Sequence, residues 1–179
     1  ARDDIAFVRL LGDSNQTAAA ANQAPINSVP GAQTVISGVP YAFSAPRGNL
    51  ISVADADAAE NAIKVTLSAD QGTVTLVHAD PDGRITYLDG DGFEDSTVTF
   101  TGTVTAVNTA LQWVSYKSPA DYTGDVTLTL TTDDLGNVGL GGALTDTDSI
   151  AITVEAVAFD ASPTLSLIHI SEPTRPTLI

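Results

Sequence analysis

The sequence predicts an all-β fold: an antiparallel β-sandwich with one short helix near residues 104–111. Three observations carry this expectation. Most of the chain is a series of runs in which apolar residues alternate with Thr, Ser or Ala, each run broken by Gly, Pro or Asp. Thr and Val are abundant while Lys and Arg together number only 7, a balance that suits strands better than helices. Strand-like and helix-like segments do not alternate in the way a parallel sheet requires. The length of 179 residues fits one domain with ragged ends, and a hydrophobic content of 43% is enough for a packed core.

In chain order, strands are expected at 33–36, 41–44, 50–54, 62–69, 73–78, 84–88 and 97–101. Three more follow at 112–116, 126–132 and 149–157. The clearest patterns are Val65/Leu67, Val126/Leu128/Leu130 and Ile150/Ile152/Val154, which mark strands with one buried face. Val104, Val107 and Leu111 fall at helical spacing, and Thr103 stands where an N-cap belongs. The expected sandwich spans residues 22–158. Residues 1–21 read as an upstream tail and linker, and 159–164 as a linker to a following unit. Asn22-Gln-Ala-Pro25 and Phe159-Asp-Ala-Ser-Pro163 look like one junction seen twice. Matching linkers around a domain mark a tandem array, here with a repeat of about 138 residues. A chain without Met reads as an internal fragment of something longer. Leu165-Ser-Leu-Ile-His-Ile-Ser-Glu-Pro-Thr-Arg175 resembles the in-frame translation of a sequencing adapter. Residues 165–179, His169 among them, are therefore expected to be unstructured and without function.

The net charge of −15 leaves no basic surface for nucleic acid or anionic lipid. No apolar run approaches the roughly 18 residues of a membrane span, and there are no cysteines to form disulfides. The acidity is itself informative. Eighteen of the 22 acidic residues are aspartates, crowded into turns: Asp55-Ala-Asp57, Asp89-Gly-Asp91-Gly-Phe-Glu94-Asp95, Asp133-Asp134 and Asp146-Thr-Asp148. Asp is a good turn former, which accounts for most single cases. Short carboxylates held together on turns also make hard oxygen sites, and these select Ca²⁺. Two carboxylates 4 Å apart repel by roughly 4 kcal/mol at an effective dielectric near 20, which a bound cation relieves. Asp55 with Asp57 is the leading candidate. Asp89, Asp91 and Asp95 have the texture of a calcium loop but lack EF-hand spacing, and Asp-Gly is equally a hairpin signal.

Leu50-Ile-Ser-Val-Ala-Asp55-Ala-Asp57-Ala-Ala-Glu-Asn61 resembles the cadherin pattern of an apolar strand followed by D-x-D-x-x-x-N. Leu128-Thr-Leu-Thr-Thr-Asp133-Asp134-Leu-Gly136 resembles a cadherin strand ending in D-x-G. With Thr97-Val-Thr-Phe-Thr-Gly-Thr103, Asp121-Tyr-Thr-Gly124 and Asp146-Thr-Asp148-Ser-Ile-Ala-Ile, residues 22–163 resemble the bacterial cadherin-like, Ig-like repeats of large type I-secreted RTX adhesins. The resemblance implies a calcium-stiffened spacer at the bacterial cell surface, extending a distal binding domain, with neighbouring repeats of the same chain as its partners. Position by position, it implies metal ligation by Asp55, Asp57, Asn61 and Asp134 toward the preceding repeat. Asp121 and Asp160 would serve the site toward the following one. Gln23 and Ser37-Gly38 stand where acidic residues are usual, which weakens the junction sites.

Catalysis finds little support. A Ser/His/Asp site would need His78 beside Asp80, and Glu94 with Asp91 or Asp95 is the nearest carboxylate set for glycoside hydrolysis. Trp113, Tyr41, Tyr87, Tyr116 and Tyr122 read as core or corner positions, with Trp113 a core anchor after the helix. A non-catalytic module is therefore expected. The alternative is a ligand- or carbohydrate-binding module of a secreted protein or hydrolase, which an exposed row of aromatics on one sheet face would favour.

Overall fold

Alternation of β-branched and apolar residues builds eleven strands in the computed structural model, which describes residues 20–77 and 82–158. The strands are β1 (Ile26–Ser28), β2 (Gln33–Ile36), β3 (Tyr41–Ser44), β4 (Ser52–Ala54), β5 (Ala62–Ala69) and β6 (Thr73–Leu76). They continue as β7 (Thr86–Asp89), β8 (Thr97–Thr103), β9 (Trp113–Lys117), β10 (Gly124–Asp133) and β11 (Thr145–Glu155). The one α-helix among the described residues, α1 (Val104–Leu111), has the predicted bounds. Thr103 caps it from extended backbone, its Oγ1 accepting the Ala106 N–H at 3.3 Å. Among the described residues no helix is long and apolar enough to cross a membrane.

The large sheet runs β2-β11-β10-β5-β8-β7 and the small one β3-β9-β6, with β1 and β4 paired beside them. Inward residues of the large sheet, such as Val65, Leu67, Phe100, Leu128 and Ile152, meet Phe43, Val74, Val114 and Tyr116 of the small one, all fully or nearly fully buried. Val107, Ala110 and Leu111 of α1 join the same core. Each such Val, Leu, Ile or Phe contributes about 1.5–3 kcal/mol through burial. The fold is thus the predicted all-β sandwich.

Three features depart from expectation. β1 was hidden between Pro25 and Pro30, too short to show a period. β2 and β11 pair in parallel, Ile152 opposite Gln33 through Glu155 opposite Ile36, in a sheet otherwise antiparallel. Trp113 is no core anchor. Its neighbours Val114 and Tyr116 point inward, so period two turns Trp113 out onto the small sheet's open face, where it is 36% exposed. Tyr116 is wholly buried and donates its hydroxyl to Gln71 O, while Tyr41, Tyr87 and Tyr122 pack partly buried against the core.

The large sheet's outer face is polar. In register across it stand Thr147, Thr131, Thr66 and Thr99, with hydroxyl pairs Thr66–Thr99 at 3.0 Å and Thr131–Thr147 at 3.1 Å. The chain enters beside the β10–β11 loop, at the start of β11, where Asn22 N–H donates to Leu140 O. It leaves from the other end of β11, an 11-residue strand about 36 Å long. Entry and exit therefore occupy opposite poles.

Candidate metal centre at the entry pole

The turn after β4 gathers the D-x-D carboxylates. Asp55 Oδ1 accepts the N–H groups of Asp57 at 3.1 Å and Ala58 at 3.0 Å, an Asx turn that fixes the side chain. Asn61 serves the same turn, its N–H and Nδ2 both donating to Ala58 O. Two oxygens are left over. Asp55 Oδ2 and Asp57 Oδ1 are shielded from solvent and have no hydrogen-bond donor. Burial pushes the Asp55 carboxyl above its ordinary range, and the Asp57 side chain beside it pushes the same way, against the lowering effect of the two backbone N–H groups. A pair of facing carboxyls without outside donors favours either a proton shared between Asp55 and Asp57, in keeping with the raised Asp55 pKa, or a bound cation.

Asp57 and Asp134 both reach the incoming linker. Asp57 Oδ2 accepts Gln23 N–H at 3.0 Å. Asp134 is buried, and its Oδ1 accepts the N–H groups of Gly136 and Leu144, each at 2.8 Å. Its Oδ2 accepts Asn22 Nδ2 at 2.6 Å, and the same amide donates to Gly142 O at 2.7 Å. Asp134 is thus satisfied three times by the protein, whereas the Asp55–Asp57 pair is not. Among the described residues no group of three or more His, Cys, Asp or Glu is arranged to hold a metal ion. The fit to Ca²⁺ therefore rests on two carboxylate oxygens. Calcium takes six to eight oxygen ligands and accepts backbone carbonyls and waters for the remainder, so the donor set is partial but of the right chemistry.

The other predicted ligands lie elsewhere. Asp121 sits at the exit pole with φ 62°, edging a cleft of about 390 Å³ shared with Ser37, Gly38, Thr123 and Val157. Asp160 lies outside the described residues, as do His78 and Asp80. The Asp89–Asp95 loop closes on itself. Asp95 Oδ2 accepts the N–H groups of Asp91 and Gly92, and Asp91 Oδ1 accepts that of Phe93. A Cβ at Gly90 would lie 2.6 Å from Asp95 Oδ2, so the glycine is needed for this closure. Glu94 pairs with Lys117 at 3.1 Å. The loop's hydrogen bonds are those of an acidic hairpin turn, and Glu94, Asp91 and Asp95 are engaged in holding it.

Sequence reasoning passed over Asn22 and Asn27 at the entry pole, and named Asp133 only among the crowded aspartates. Asn22 appeared only as a linker residue. Asn27 is buried, takes a hydrogen bond from Thr132 Oγ1 at 2.6 Å, and gives its N–H to Asp146 Oδ2 at 2.7 Å. The only signal was a polar residue beside a β-type run, which is too common to single out. Asp133 is held below the ordinary carboxylate range: burial opposes ionisation, but Lys64 at 2.8 Å and the Leu135 N–H outweigh it.

Residues 49–138 match the family described as the Protein GAMETE EXPRESSED 2 domain. A cohesin module from a Clostridium perfringens ATCC13124 family 33 glycoside hydrolase is similar in structure, with 9% identity and a TM-score of 0.39 over 73% of this chain and 98% of that one. No curated protein matches the chain.

Proposed function

This chain belongs to the family of the Protein GAMETE EXPRESSED 2 domain, and from the residues of its entry pole we propose that it is a non-catalytic, calcium-stiffened spacer module. Asp55, Asp57, Asn61 and Asp134 all lie within the matched span. The observation that carries the reading is the orphaned pair, Asp55 Oδ2 and Asp57 Oδ1, placed one hydrogen bond away from the incoming linker through Asp57 Oδ2. Asp55 Oδ2 and Asp57 Oδ1 would hold a cation there, whose charge would neutralise the pair, and Asp57 Oδ2 already ties the site to Gln23 N–H. The opposite placement of entry and exit suits a unit that transmits length along an array. The polar Thr face supports the same reading, since it offers no apolar surface for a partner. The finer assignment, an extracellular repeat of a large bacterial adhesin with neighbouring repeats as its partners, stands on the quoted motifs.

Calorimetric titration of the full chain with Ca²⁺ tests this. Binding at about 10⁻⁴–10⁻³ M is expected, with loss of the heat in an Asp55→Ala/Asp57→Ala variant. Absence of heat from the wild-type protein at millimolar calcium would sink the reading.

A second reading, a carbohydrate-binding module, is favoured by one observation. Trp113 lies on the small sheet's outer face, on the same strand as Lys117, which with Glu94 edges an open cleft of about 430 Å³. Retention on immobilised neutral polysaccharide, abolished by Trp113→Ala, is its expected signature.

A further inference from the structure

The loop between β10 and β11 is built to receive a strand of backbone. Leu140 N–H donates to Ala20 O at 2.9 Å and Asn22 N–H donates to Leu140 O at 3.0 Å, a parallel bridge between linker and loop. Gly139 lies directly beneath. Its φ is +76°, and a Cβ there would come within 2.4 Å of Asn22 N, 2.7 Å of Asn22 Cα and 2.9 Å of Ala20 O. Both the conformation and the close approach demand glycine. Asn22 then locks the arrangement by donating to Asp134 Oδ2 and Gly142 O, with Asp134 held in place by Gly136 and Leu144 N–H groups.

We propose that this loop is a metal-independent cradle for the chain segment that precedes the sandwich, and that Asp134 is its clasp, a positioning residue rather than a metal ligand. A glycine-rich loop loses much conformational entropy on ordering, and the linker's hydrogen bonds offset that loss, so loop and linker order together. Asp134 has no oxygen lacking a donor, in contrast to the Asp55–Asp57 pair. The cradle fixes the course of residues 20–22 against the loop. The proposal goes beyond the calcium reading and does not depend on it.

Amide hydrogen exchange of the full chain in chelator, read at Asn22 and Leu140, decides it. Both amides are expected to be protected without metal. Gly139→Ala is expected to speed exchange at both by about tenfold or more while core amides such as Leu128 and Ile152 keep their protection. Asn22→Ala, which keeps the backbone bridge but removes the clasp, should speed Leu140 in the same direction and serves as the deciding variant where Gly139→Ala does not fold. Protection that appears only after calcium is added, or that neither variant changes, overturns the cradle. Protection in chelator with no response to calcium supports the cradle and counts against the spacer reading instead.

Discussion

Replacing Asp55 with Asn tests the metal pair with two opposite signs in one variant. The Asn Oδ1 still accepts the Asp57 and Ala58 N–H groups, so the Asx turn survives. The amide nitrogen takes the place of the orphaned Oδ2, supplying a donor beside Asp57 and removing one of the two charges. Two unit charges about 4 Å apart repel by roughly 4 kcal/mol at an effective dielectric near 20. Both residues are partly open to water, so screening reduces the relief to about 1–2 kcal/mol. In chelator the variant should therefore melt about 3–8 °C above the wild-type protein. In calcium at ten to a hundred times the dissociation constant, wild type should gain about 1.4–2.7 kcal/mol by mass action, and the variant should lose most of that gain. Differential scanning calorimetry in both conditions reads the two effects together. A variant that melts lower than wild type in chelator and keeps its calcium response would refute the reasoning, because the pair would then be a structural anchor and the metal would sit elsewhere.

The remaining predictions concern pH, a buried network and a helix cap. Because the folded-state pKa of Asp55 is raised, its proton stabilises the fold fully below the unfolded pKa, and that contribution is lost as pH rises through the folded value. In chelator, the advantage of Asp55→Asn over wild type should accordingly widen as pH rises above the ordinary carboxylate range; a constant or shrinking gap speaks against a donorless pair. Asp133 has the opposite sign, since its lowered pKa gives stability that is present above the unfolded value and lost as pH falls through the folded one. Lys64→Ala should remove that acid-side dependence in pH-resolved melts. Thr132→Val leaves buried Asn27 Oδ1 without its donor and should cost about 1–3 kcal/mol in urea unfolding. Thr103→Ala removes the α1 cap and should cost about 1 kcal/mol in the same assay.

What could be read from the chain follows from the range of each signal. Strand β5 and helix α1 were legible because their periodicity and cap lie within a few residues. Trp113 was misread: its position after a helix suggested packing, whereas parity with inward Val114 and Tyr116 turns it outward. The parallel β2–β11 pairing was not legible, since period two tells which face is buried and never which strand lies alongside. At the entry pole the D-x-D and D-x-G spacings drew attention to Asp55, Asp57 and Asp134. They did not distinguish the orphaned pair from the saturated clasp. Asp134's decisive donor, Asn22, is 112 residues away in sequence, and Gly139 reveals its purpose only when the linker backbone lies against it.

The parallel seam between β2 and β11 bears on how the domain meets tension. The chain enters beside one end of β11 and departs from the other, so a pull on its two ends runs along these strands. Four register pairs, Gln33–Ile36 against Ile152–Glu155, resist sliding past one another. In a parallel ladder the bonds are evenly spaced and share the load. Shear must then break them together, whereas a hairpin peeled from its tip gives way one bond at a time. Removing the short strand β2 would take only Val35 from the hydrophobic core and yet open this seam, all four of its register pairs at once.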